Sequence, residues 1–182
     1  MKSLGKKGFT LIELLAVITI MGILMLVAIP AVTRTIENSR RDTFADNVKT
    51  YINTVRNAVL ADELKCEESG SEVTVSSLPD GIYYYEIDTT ANGTKDLMEK
   101  VAKSSWGGAD IEGYVKWQKT DGKTSYYAYM TDKSKHGMSA EAAEDSITRA
   151  SISSTVAEAN KAPKAPVKKS GESDPIKCVL KQ

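Results

Sequence analysis

Histidine and cysteine are scarce in this chain of 182 residues: one histidine, His136, and two cysteines, Cys66 and Cys178. Zinc sites draw on paired cysteines or histidines at short spacing, so this supply argues against zinc ligation. His136, in the run KSKHGM, is expected in an exposed loop. No glycine-rich phosphate loop or dinucleotide fingerprint is present; Trp106-Gly107-Gly108 is a lone glycine pair that reads as a loop turn. The adjacent carboxylates Glu67 and Glu68, and Glu144 and Asp145, suit solvation better than convergent acid–base work. Asn92-Gly93-Thr94 fits the glycosylation pattern, but a turn before a helix explains it equally. No catalytic residue, cofactor or metal is therefore expected, and the chain reads as a non-enzyme. Net charge is also missing: 24 basic residues balance 24 acidic ones. Because Lys2, Lys6 and Lys7 precede Phe9, everything beyond is weakly acidic, which argues against a general nucleic-acid binder.

What the chain does have is a long apolar run near its start. Leu14 to Thr33 carries no charge, close to the ~20 residues that a membrane-spanning helix needs. Three lysines before it and Arg34 after it orient the amino terminus toward the cytoplasm and the remainder outside. A secretory signal would have a shorter apolar region followed by a small-residue cleavage site, and neither holds. Glu13 is the anomaly, because an ionisable side chain at membrane depth costs roughly 2.5–3.5 kcal/mol, less near the interface. A partner is expected for it.

The small residue that marks a cut lies instead before the run, at Gly8. The segment KKGFTLIELL resembles the processing site of type IV prepilins and pseudopilins, a short basic leader ending in Gly followed by Phe-Thr-Leu-Ile-Glu-Leu. The resemblance covers about the first 30 residues, including Pro30. It implies cleavage after Gly8 and methylation of the new amino-terminal Phe9 by a prepilin peptidase/N-methyltransferase. It also implies that Glu13 meets the charged amino terminus of a neighbouring subunit in a filament. A misplaced subunit would leave that carboxylate buried and alone, which costs several kcal/mol, so the pairing sets register. Gly22 and Pro30 weaken the helix between them, where bending or local melting is expected. The resemblance links such looseness to filament packing; a simple membrane-helix kink is the plainer alternative.

Beyond the run, Ile36, Phe44, Val48, Ile52, Val55 and Val59 recur mostly at spacings of three and four, with charges between them, as in an amphipathic helix. Joined to the apolar half, it runs from near Phe9 to about Leu64, roughly 80 Å at about 1.5 Å per residue. After Cys66 the period changes. Val73 to Val75 and Ile82 to Ile87 read as strands around the turn signal Leu78-Pro79-Asp80-Gly81. Thr94 is placed to cap a short helix through Lys103. GYVKWQK and TSYYAYM flank Thr120-Asp121-Gly122-Lys123, a hairpin by its turn chemistry. Val115 and Trp117 share a face of one strand, and Tyr127 and Tyr129 of the other, giving cross-strand aromatic pairs. In SAEAAEDSITRASISSTV, Ser139 suits a helical cap, whereas Ile147 to Val156 reads as an irregular strand. Tyr83, Tyr84, Tyr85, Tyr126, Tyr127 and Tyr129 suit sheet packing first, with half of them turned outward.

The expected architecture is thus α+β: a long amino-terminal helix, spanning a membrane in its first half and amphipathic in its second, packed on a small antiparallel sheet. Its parts are a leader at 1–8, a transmembrane or filament-core helix at 9–33, an amphipathic helix at 34–65, a β-rich head at 66–160 and a Pro/Lys-rich tail at 161–182. Two distant cysteines read as a bridge in an exported protein and as free thiols in a cytosolic one. A Cys66–Cys178 link would clip the last short segment to the far end of the long helix. In the family resembled, a disulfide often closes a carboxy-terminal loop, and this placement differs from the commonest version.

The function implied is a structural subunit of a type IV pilus-like extracellular filament, polymerised through the amino-terminal helix. Its partners would be other pilin subunits, inner-membrane assembly machinery and, before assembly, membrane lipid. Motility, adhesion or surface attachment would follow at the level of the fibre. The alternative is a pseudopilin of a type II secretion or DNA-uptake (competence) apparatus. For DNA, Lys161, Lys164, Lys168, Lys169, Lys177 and Lys181 form a candidate basic surface against Glu172 and Asp174, although a solvated tail is the plainer reading. A membrane-tethered enzyme or receptor that never polymerises would instead keep its leader.

Overall fold

The computed structural model describes residues 8–68, 71–87, 97, 103–132, 134, 136–156 and 175–181. The leader before Gly8, most of the helix expected from Thr94 to Lys103, the Asn92 glycosylation pattern and the tail between 157 and 174 lie outside these residues. The chain divides into two compact units, Met1–Asn38 and Ser39–Gln182.

One helix, α1 (Leu11–Leu60), supplies all of the described first unit after Thr10 and opens the second. Leucine, methionine and alanine make up much of its early turns, and these sustain a helix without tertiary help better than most residues. Its end comes a little before the expected Leu64. Asp62 adopts a left-handed conformation (φ 55°), its N–H turns back to the Val59 carbonyl at 3.3 Å, and the Glu63 N–H reaches the Ala58 carbonyl at 2.9 Å. This pair of reversed bonds satisfies carbonyls that a helix end leaves orphaned.

In the second unit α1 buries Phe44, Val48, Ile52 and Val55, as expected from the spacing, and Tyr51 and Ala58 beside them. Val59 is partly buried. Ile36 departs from the expectation. It lies in the first unit and is 48% exposed, so the buried stripe begins about two turns later, at Phe44. Against the stripe stand Tyr83, Tyr85, Val115, Trp117, Tyr126, Ala128 and Met130 from one face of the sheet. Burying each large apolar side chain contributes about 1.5–3 kcal/mol, so this contact dominates the unit's stability.

The described sheet has strands β1 (Leu64–Glu68), β2 (Ser71–Thr74), β3 (Gly81–Ile87), β4 (Ile111–Thr120), β5 (Lys123–Asp132), β6 (Gly137–Met138), β7 (Ala142–Ala143), β8 (Ile152–Ser153) and β9 (Ile176–Leu180). Their order is β2-β1-β9-β3-β4-β5-β6-β8, with β7 also on β5. Every pairing is antiparallel except β3 with β9. Val75 leaves β2 for a short 3₁₀ turn, so the strand expected at Val73–Val75 is shifted toward Ser71. β2 and β3 do not pair with each other; β2 lies on β1.

The hairpin β4–β5 forms as its turn dictates. Asp121 (φ 50°) and Gly122 (φ 73°) are both left-handed, which matches the twist of the flanking strands. A two-residue loop pairs odd-numbered positions with even-numbered ones, so Trp117 stands opposite Tyr126, and Tyr127 opposite Lys116. The aromatic pairs are therefore not those between the Val115/Trp117 face and Tyr127/Tyr129. On the core face Trp117 stacks on Tyr83 of β3 at 5.8 Å, and on the other face Tyr114 meets Tyr129 edge-on at 6.2 Å. Gly113 lies in β4 with φ 143°, and a Cβ there would stand 2.1 Å from the Tyr129 carbonyl oxygen, so only glycine fits.

The stretch after Ser139 is irregular. Ser139 caps no helix; its N–H donates to the Ser151 carbonyl at 3.3 Å. Two 3₁₀ turns, Glu144–Ser146 and Arg149–Ser151, bracket Ile147, and Ile147, Ile152 and Val156 are buried. Cys66 and Cys178 face each other across β1 and β9 and are joined by a disulfide.

Candidate processing and assembly site

Gly8, Phe9 and Thr10 precede α1, lie outside regular structure and are exposed, Phe9 at 91%. Thr10 then starts the helix. Its hydroxyl accepts the Glu13 N–H at 3.3 Å, while the Glu13 carboxylate Oε2 accepts the Thr10 N–H at 2.8 Å and the Thr10 hydroxyl at 2.7 Å. This is a capping box, reciprocal satisfaction of orphan groups in the first turn. Glu13 thus has a partner within its own chain, which the reading of Glu13 as a lone acid missed. The signal was present as Thr-x-x-Glu immediately before an apolar run.

The helix that follows keeps its apolar side chains in the open. Leu14, Leu15, Ile18, Met21, Leu24, Met25, Leu26 and Val27 are all more than half exposed. The most apolar window has a mean hydropathy of 2.7 with none of it buried, and the helix is long and apolar enough to cross a membrane. Gly22 and Pro30 both lie inside α1, with helix on either side. Of the bending or local melting expected between them, the melting is absent, since all of Leu11–Leu60 is helical. Proline removes one N–H donor, and the adjoining turns continue; the Thr33 and Thr35 hydroxyls donate to the Ile29 and Ala31 carbonyls at 2.9 and 3.0 Å. Thr19 likewise returns its hydroxyl to the Ala16 carbonyl at 2.8 Å, so the threonine hydroxyls of this stretch are satisfied internally, as a lipid setting demands.

Residues 4–29 match the family described as the prokaryotic N-terminal methylation motif. The chain carries a type IV prepilin-type cleavage and methylation motif. Comparison with curated proteins and with solved structures finds no match. The prepilin motif spans Gly8, Phe9, Thr10, Glu13 and Gly22 and stops just short of Pro30. It supports a type IV pilin or pseudopilin protein, a structural class, and the α+β arrangement of helix and sheet is pilin-like. The prepilin motif implies processing by prepilin peptidase and assembly with other pilin subunits. With the exposed apolar helix, it fits a membrane-anchored precursor that becomes part of an extracellular filament.

In the second unit one polar cluster was not anticipated. The Asp132 carboxylate is buried and accepts the Ser104 hydroxyl at 2.6 Å, the Ser134 N–H at 2.8 Å and the His136 N–H at 2.9 Å. His136 Nδ1 stands 3.1 Å from its Oδ2, and the imidazole stacks on Trp106 at 4.7 Å. His136 is therefore a packed, partly buried residue and not an exposed loop histidine. A buried acid four residues upstream fixed it, which sequence spacing alone does not reveal. Ser104 and His136 both bond to the carboxylate, so the imidazole is not placed to take the serine proton as a nucleophilic triad requires. The cluster instead ties two loops to α1, where Trp106 packs on Phe44 at 5.8 Å and the Asn47 amide donates to the Lys103 carbonyl at 3.1 Å.

The tyrosines sort by face. Tyr83, Tyr85 and Tyr126 are buried on the helix side; Tyr84, Tyr127 and Tyr129 are half-buried on the other. Tyr114, on the far side, is held well above the usual tyrosine range, first by burial and then by its 2.8 Å bond to Glu141. Burial likewise raises Tyr126, over which the Arg56 guanidinium lies at 4.6 Å from the ring. Arg56 also pairs with Glu144, so that acid is not simply solvated. Of the candidate DNA-binding lysines, Lys177 pairs with Glu86 at 2.5 Å and Lys181 with Asp62 at 2.8 Å; the other four lie outside the described residues.

Proposed function

We propose that the chain is a structural subunit of a type IV pilus-like extracellular filament. The observation that carries this reading is a prepilin motif placed directly ahead of an apolar helix whose side chains are exposed. Prepilin peptidase cuts between Gly8 and Phe9 and methylates the Phe9 amine. The accessible, non-helical backbone at Gly8–Thr10 supports this, since a peptidase must reach and extend the bond it cuts. Before assembly the precursor sits in the cytoplasmic membrane with its head outside. Inner-membrane machinery then transfers α1 from lipid to a bundle of like helices, where looseness around Gly22 and Pro30 aids packing.

Glu13 acts twice in this scheme. Its bonds to Thr10 lessen the cost of a carboxylate near the membrane surface, and in the filament its charge meets the methylated amine of a neighbouring Phe9. The two roles separate experimentally, because glutamine also closes a capping box but carries no charge. Mass spectrometry of the mature protein is expected to find methylated Phe9 at the amino terminus, and electron microscopy to find fibres. Glu13→Gln should be cut normally and assemble poorly. Fibres at the normal level from that variant would refute charge pairing and leave capping as the role of Glu13; an intact leader on the native protein would refute the filament reading. Fibres confined to the cell envelope, or uptake of DNA by them, would instead select the pseudopilin alternative.

A further inference from the structure

Among the described strands, β9 is the link between two parts of the sheet. On one side it runs antiparallel to β1, with Leu64 opposite Leu180 and Cys66 opposite Cys178; on the other it runs parallel to β3, with Tyr83 opposite Ile176 and Tyr85 opposite Cys178. Among the described strands, the order β2-β1-β9-β3 means that β1 and β2 join the rest of the sheet through β9. The end of α1 is tied to the same segment. The Lys181 N–H donates to the Glu63 carbonyl at 2.8 Å, and its ammonium reaches the Asp62 carboxylate at 2.8 Å. Yet β9 lies far along the sequence from β1 and β3, the described strands that it pairs with. Its docking closes a long loop, and the disulfide to a residue 112 positions earlier removes that entropic cost. Cys66 is 0% and Cys178 1% exposed, so a thiol reagent meets the bond only when β9 leaves its slot.

We infer that β9 is a redox-locked keystone. With the Cys66–Cys178 bond intact, β1, β2 and the end of α1 are joined to the main sheet. With it reduced, β9, β1 and β2 loosen as one unit, while the packing of Phe44, Val48 and Ile52 on β4 and β5 persists. To close the lock, the two cysteine thiols pass two electrons and two protons to an oxidised dithiol carrier, whose disulfide becomes a dithiol as the protein S–S bond forms. A dithiol reductant reverses the exchange: the protein S–S bond breaks, each sulfur gains a proton, and the reductant leaves as its disulfide. The head is therefore completed only where a disulfide oxidant is at hand. Topology carries this inference, and it stands whether or not the chain forms filaments.

Hydrogen exchange read by mass spectrometry on the full chain in detergent micelles tests it, before and after reduction of the folded protein with dithiothreitol and alkylation of the thiols. Exchange in β1, β2 and β9 should rise by at least about tenfold, with β4 and β5 changed by less than about twofold. The variant C66S/C178S, folded without the bond, should reproduce the same pattern. Unchanged exchange in β9 after complete reduction would overturn the inference, as would an equal rise in β4 and β5, which would mean global unfolding. Covalent multimers of the native protein on a non-reducing gel would also overturn it, by showing that the bond links different copies.

Discussion

Leu24 and Phe44 sit on the same helix, yet one is 63% exposed and the other fully buried. From Leu14 to Val32, α1 presents mostly aliphatic side chains around its circumference; from Ser39, the buried apolar residues form a stripe that a sheet covers. An all-round apolar helix needs an apolar surround, and a striped one needs a single packing partner. The second stretch finds its partner within the chain. The first is exposed among the described residues, which is why lipid and further copies of the same helix belong to the proposed function. One continuous backbone thus serves two solvents, and the change occurs where charges begin to alternate with apolar positions after Arg34.

Truncating one residue of each kind is the sharpest way to break this contrast. Phe44→Ala should lower the stability of the head by about 3–5 kcal/mol, read as a fall in the thermal midpoint of the detergent-solubilised chain. Leu24→Ala should leave that midpoint unchanged while reducing fibre yield; equal effects on stability would erase the distinction. Next in size, Asp132→Ala strands the Ser104 hydroxyl and two backbone N–H groups, and should cost about 1–3 kcal/mol. Loss of the His136–Trp106 stacking signal in near-ultraviolet circular dichroism would accompany it, and a midpoint equal to that of the unmodified chain would deny the cluster its stapling role. Gly122→Ala forces a left-handed alanine into the β4–β5 turn and should cost about 1 kcal/mol. Gly113→Ala should exceed it clearly, since its Cβ would meet a backbone oxygen.

The smallest effect at neutral pH concerns the tyrosines. Tyr114 and Tyr126 hold their protons more tightly in the folded head than the ordinary value near 10. The unfolded chain therefore loses protons first, and stability is full below about pH 10 and declines as pH rises past it. Tyr114→Phe should flatten that alkaline decline in thermal melts recorded across pH. The Asp42–Arg149 pair works in the opposite direction. The arginine holds the Asp42 carboxyl below its usual range, so its contribution fades in acid, and both groups are solvent-screened.

Much of the arrangement was legible because it rests on local chemistry. The Asp121-Gly122 turn, the spacing of Phe44, Val48, Ile52 and Val55, and the charge-free run through Leu24 each carry their structural consequence in adjacent residues. Glu13 shows the limit of such reading: its Thr-x-x-Glu signature was local too, but the prominence of an acid in an apolar run drew attention to a distant partner instead. His136 shows another limit, since Asp132 is near it in sequence but the Trp106 ring and the Ser104 hydroxyl that complete the cluster come from a distant segment. The insertion of β9 between β1 and β3 was equally out of reach, because the strand arrives from far along the chain and pairs in parallel on one side.

By itself the sequence determined a prepilin-type motif after a run of lysines, a long apolar helix, and an amphipathic continuation with a sheet to cover it. These follow from residue type and spacing over a few turns. Only the tertiary structure decided strand order, the burial of Asp132 and the placing of Cys178 against Cys66. Such pairings depend on which distant segments meet when one core closes, and the free energy of that closure belongs to the whole assembly of contacts and to no single stretch.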